Sequence, residues 1–101
     1  MSSAPSLLLF SRQGCCLCEG LEERLRALPE PVLLRVVDVD LDPVLRARYD
    51  LTVPVLALEA GEGAGWQDLP RVPPRLDGER LVHWLRRQGA LAPQAGDGAA
   101  G

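Results

Sequence analysis

The sequence predicts a single α/β domain in which strands and helices alternate in the order β-α-β-α-β-(β)-α. Three observations predict it. Ser6 to Phe10 is an apolar run closed by polar Ser11-Arg12-Gln13-Gly14, the habit of a central strand buried on both faces. Leu17, Leu21, Leu25 and Leu28 then recur at three- and four-residue steps, which marks the core face of a helix. Val32 to Val39 is rich in β-branched residues, interrupted by Arg35 and Asp38, and reads as a second strand. Two strands joined by one helix in so short a span form a βαβ unit. At 101 residues the chain is one domain long, enough to bury a core without disulfide staples.

Each remaining element has its own signal. Glu22 and Arg26 stand four apart on the outer face of the first helix and pair across solvent. Pro29 and Pro31 stop that helix. Asp42-Pro43 supplies an N-cap and a proline at the first helical position, opening a short helix through Tyr49. Leu51-Thr52-Val53-Pro54 leads into a third strand, Val55 to Leu58, and glycine-rich Glu59 to Gly65 reads as a turn. Leu69 to Leu76 is the candidate fourth strand, although Pro70, Pro73 and Pro74 confine it to a sheet edge or to extended chain. Asp77 caps the last helix, Gly78 to Arg87, with Leu81, Val82, Trp84 and Leu85 toward the core and Gly89 ending it. The domain is thus expected over residues 1–89. Residues 90–101, mostly Ala, Gly and Pro, are expected to form a disordered tail.

Charge and composition exclude several functions. The net charge is −3 and no basic run occurs, so nucleic-acid binding is not expected. All the positive side chains are arginines; without lysine there is no Schiff-base chemistry. The run Leu7 to Phe10 is too short for a signal peptide or a membrane span, so a cytoplasmic monomer without membrane contact is expected.

All three cysteines fall between Cys15 and Cys18, which points to redox or metal chemistry rather than to structural bridging. Cys15 and Cys18 are neighbours on a helix, within disulfide range, whereas Cys16 faces neither suitably. Cys15 lies at the helix N-terminus, where free amides and the macrodipole favour an anion, and Arg12 stands three residues upstream. These features make Cys15 the attacking thiolate and Cys18 the resolving thiol. The competing readings are a metal or iron–sulfur carrier using the same cysteines, an inert buried pair, and an interaction module. The only histidine, His83, is remote in sequence and reads as a surface residue.

The segment Phe10-Ser11-Arg12-Gln13-Gly14-Cys15-Cys16-Leu17-Cys18, followed by Thr52-Val53-Pro54, resembles the glutaredoxin-like branch of the thioredoxin superfamily, over about Leu7 to Leu85. The resemblance implies a thioredoxin-like, glutaredoxin-type three-layer fold with a mixed central sheet. It implies thiol-disulfide exchange through Cys15 and Cys18 in redox homeostasis, with no tightly bound cofactor. It also implies a cis Pro54 beside the cysteines and Val53 holding the substrate backbone. Arg12 falls where glutaredoxins carry a lysine against a glutathione carboxylate, and Asp77 where an acid meets the glutathione amine. The expected substrate is a disulfide-containing protein or a small mixed disulfide, reduced at the expense of glutathione or a thioredoxin-type dithiol. Two departures stand out, the first of which favours the dithiol. The paired glycines of glutaredoxins are absent, with Gly61, Gly63 and Gly65 irregularly placed, and Cys16-Leu17 replaces the Gly-Pro of a thioredoxin centre.

Overall fold

The central strand is β1, Ser6–Ser11, whose run Leu7 to Phe10 is almost wholly buried. The structure is a computed structural model describing residues 6–30, 32–59 and 65–91. The other elements are α1 (Cys16–Arg26), β2 (Leu33–Asp38), α2 (Pro43–Tyr49), β3 (Val55–Glu59), β4 (Trp66–Asp68) and α3 (Gly78–Arg87). A short 3₁₀ turn, Val39–Leu41, joins β2 to α2. The strands lie in the order β2-β1-β3-β4. β1 runs parallel to β2, from Ser6 opposite Leu33 to Ser11 opposite Asp38. It runs antiparallel to β3, with Leu7 opposite Leu58 and Phe10 opposite Val55, so the sheet is mixed.

Alternation along β1 builds three layers, because successive side chains in a strand point to opposite faces. Leu7 and Leu9 pack with Leu21 and Leu25 of α1 and with Leu81, Val82 and Leu85 of α3. Leu8 and Phe10 pack on the other face with Val39, Tyr49 and Ala57. Helices α1 and α3 therefore cover one face of the sheet and α2 the other. Asp42 caps α2 as its sequence predicts, accepting the Val44 and Leu45 amides at 2.9 and 3.3 Å.

Four expectations are corrected. The fourth strand is Trp66–Asp68, not Leu69 to Leu76. The Leu69 amide still donates to the Leu56 carbonyl at 2.9 Å, but Pro70 has no N–H with which to continue the ladder. Leu17 is not a core residue: it is 64% exposed at the first turn of α1. Asp77 stands at the N-cap of α3 but its side chain makes no cap bond. Gly78 enters at φ +54°, off the helical region, so the carboxylate is not brought over the first free amides. Finally, Ala90 and Leu91 are buried in the core shared by α1 and α3, so ordered packing passes residue 89. Gly89 at φ +79° turns the chain back, and the Ala90 amide bonds the Leu85 carbonyl at 2.8 Å. The rest of the expected tail, Pro31, and residues 60–64 of the expected turn lie outside the described residues.

Candidate active site

The strand-to-helix turn after β1 delivers the cysteines. Gly14 adopts φ +77°, which reverses the chain at little steric cost because glycine has no Cβ. Cys15 follows in extended conformation as the N-cap of α1. Its Sγ accepts the Cys18 amide at 3.1 Å, so the sulfur does the work that a serine or aspartate oxygen does at other helix starts. Cys15 and Cys18 are bridged, their Cα atoms 5.2 Å apart. Cys18 is fully buried, Cys15 is half-buried, and Cys16 is free and exposed. One sulfur reaches solvent at a helix N-terminus and its partner is shielded one turn inside.

Arg12 is engaged differently from what the sequence suggests. Its Nε and Nη2 donate to both oxygens of Asp40, at 3.1 and 2.7 Å. Nη2 also meets Oδ1 of Asp50 at 2.7 Å, and Nη1 the Asp50 carbonyl at 3.1 Å. Hydrogen bonds to these carboxylates raise the guanidinium pKa further. In return Arg12 holds the Asp40 carboxyl below the usual carboxylate range. The charge expected to act on Cys15 or on a glutathione carboxylate is thus matched by two acids. The Arg12 carbonyl meanwhile accepts the Cys15 amide at 3.4 Å, so one residue ties the cysteine turn to both ends of the α2 region. Asp40 and Asp50 carried no sequence signal, since nothing local relates them to a residue 28 and 38 positions away.

The Val53–Pro54 peptide bond is cis. The Val53 amide donates to the Tyr49 carbonyl at 3.1 Å and its side chain packs against the Phe10–Tyr49 cluster. That cluster is tightly specified. The Phe10 and Tyr49 rings stack at 4.5 Å between centroids. The Tyr49 hydroxyl donates to Asp68 at 2.8 Å and accepts the Trp66 indole N–H at 3.0 Å, and burial pushes the Tyr49 pKa up.

Pro54 borders two clefts. One, of about 280 Å³, has a wall of Leu17, Leu21, Val72 and Pro74, with Arg24 and Arg71 beside it. The other, of about 360 Å³, lies toward Arg48, Thr52 and Asp68. Leu17 lies between Cys16 and Cys18 in the chain, so the first cleft begins one residue from the cysteines in sequence, although none of them lines it. Asp77 is exposed and lines neither cleft. Sequence reading missed Arg24, Arg71, Val72 and Pro74 as cleft residues, because the pairing of α1 with the 71–74 segment is a tertiary fact. His83 is exposed and shares its surface with Arg80 and Arg87. Among the described residues, no three His, Cys, Asp or Glu side chains are grouped to hold a metal ion.

A CxxC at the start of a helix, fed by the central strand of a mixed β2-β1-β3-β4 sheet, defines a thioredoxin-like protein with the means for thiol-disulfide chemistry. The family model described as Glutaredoxin-like domain (DUF836) matches residues 6–86, and the chain belongs to that family. It is also similar to a structural-genomics target protein from X. campestris, known from its X-ray structure. The two are 33% identical with a TM-score of 0.52, over 87% of this chain and 100% of that one. No curated protein matches the chain. Among the described residues no helix is long and apolar enough to cross a membrane.

Proposed function

We propose that the chain is a cytoplasmic dithiol oxidoreductase that reduces a disulfide-containing protein or a small mixed disulfide. The observation that carries the reading is the Cys18 amide donating to Cys15 Sγ at the N-cap of α1. In the reduced protein the same amide and the helix dipole stabilise a Cys15 thiolate, the nucleophilic form. That thiolate attacks one sulfur of the substrate disulfide, and the other leaves with the bonding electrons and takes a proton from solvent. Cys18 then loses its proton and attacks Cys15, releasing the second substrate thiolate and closing the Cys15–Cys18 disulfide. Two electrons pass from the dithiol to the substrate. A thioredoxin-type dithiol, or two molecules of glutathione, returns them.

Val53 and Pro54 flank the path by which a substrate reaches Cys15. Arg12 acts through the turn that it braces rather than by touching the sulfur, and Cys16 is a bystander. The pairing of Arg12 with Asp40 and Asp50, and the place of Asp77 outside the lining of both clefts, favour a dithiol over glutathione as the reductant. The test is trapping. Reduced Cys18→Ser should accumulate a mixed disulfide on Cys15 that wild type resolves. A stable adduct on Cys16, or none at all, rejects the mechanism.

A further inference from the structure

Leu17 exposes 64% of its surface next to the two reacting cysteines. With Leu21, Val72 and Pro74 it forms the apolar wall of the cleft beside Pro54. The wall is held in place. Nη1 of Arg24 donates to the Leu76 carbonyl at 2.6 Å and the Pro73 carbonyl at 3.3 Å, clamping the proline-rich 73–76 segment against α1. A wall braced in this way is preformed, so a ligand need not supply the ordering energy.

Arg71 borders the same cleft and the neighbouring one. Among the described residues it has no hydrogen-bond or ion-pair partner, whereas Arg12 is saturated by Asp40 and Asp50. The charged residues that line the cleft are Arg24 and Arg71, with no acid among its lining residues, so it attracts anionic ligands.

We propose that this cleft receives an extended peptide segment of the disulfide substrate, with an apolar residue beside the reacting cysteine and a carboxylate against Arg71. The proposal rests on the dithiol function above and names its substrate class. The apolar residue covers Leu17 and Val72, the carboxylate pairs with Arg71, and the substrate disulfide meets Cys15 in the exchange already written. Glutathione offers a carboxylate but no apolar side chain for this wall.

The experiment is single-turnover reduction by the pre-reduced protein. The substrates are short peptides whose one cysteine is disulfide-linked to a small neutral thiol, with leucine beside it and Glu or Lys within three positions. The Glu peptide should react about fivefold faster than the Lys peptide, the size of an exposed ion pair. High salt should draw that ratio toward one, and replacing the leucine by serine should slow both peptides. Arg71→Glu should invert the ratio. Because the ratio is read within one variant, partial loss of folded protein does not imitate the inversion. Equal rates for the two peptides, a ratio that Arg71→Glu leaves unchanged, or faster reaction of glutathione's mixed disulfide than of the Glu peptide overturns the proposal. If bis(2-hydroxyethyl) disulfide is reduced while peptide charge is ignored, the substrate assignment alone is wrong. If neither the peptides nor that disulfide are reduced, the dithiol function falls too.

Discussion

Arg12 grips both oxygens of Asp40, 28 residues further along the chain, at 2.7 and 3.1 Å. The bridge joins the turn before the cysteines to the 3₁₀ turn before α2. Since Arg12 keeps Asp40 ionised below the usual carboxylate range, folding favours the deprotonated acid. The resulting stability is fully present above the unfolded carboxylate value of about 3.9. It is lost as pH falls through the lower folded value. Thermal unfolding of wild type and Asp40→Asn against pH should show wild type more stable at neutral pH, the gap closing in strong acid. A gap that widens in acid contradicts the bridge.

Tyr49 is the only tyrosine in the chain, so phenolate absorbance reports on it alone. Burial raises its pKa, and the folded protein should therefore titrate above the ordinary tyrosine value of about 10. In denaturant the titration should return to that value. Equal midpoints in the two conditions contradict its burial beneath Phe10 and Trp66.

Removing the Tyr49 hydroxyl leaves the Trp66 indole N–H and Asp68 without their shared partner. Tyr49→Phe should cost about 1–2 kcal/mol, read from denaturant unfolding. An unchanged midpoint shows that water replaces the hydroxyl freely.

Gly14 meets nothing within 4 Å at the position of an added Cβ, so its requirement is conformational alone. Gly14→Ala should cost about 1–2 kcal/mol for the left-handed backbone, and Gly14→Asn less. Equal costs point to a steric role instead.

Much of this architecture is legible in the sequence, because the signals are local. The Leu7 to Phe10 run, the Asp42-Pro43 helix start and the spacing of Leu81, Val82, Trp84 and Leu85 each specify an element without outside help. The same holds for Cys15 and Cys18, whose relation spans one helical turn. What stayed illegible depends on distant partners. Leu17 keeps the helical period of Leu21 and Leu25, yet in the first turn of α1 it stays outside the core, which no periodicity reveals. Arg12 reads as a free cation until Asp40 and Asp50 are folded against it. Trp66 escaped as strand because it follows a glycine-rich stretch, and its place is set by Phe10 of β1 and Tyr49 of α2.

The reactivity of Cys15 tests the account most directly. The reduced protein is alkylated with iodoacetamide across a pH series, and each cysteine is followed separately by peptide mass mapping. Cys15 should react fastest, with a midpoint below the ordinary thiol value of about 8.5, and buried Cys18 should be slowest. A Cys15 midpoint at or above that value, or faster alkylation of Cys16 at neutral pH, contradicts a thiolate held by the Cys18 amide.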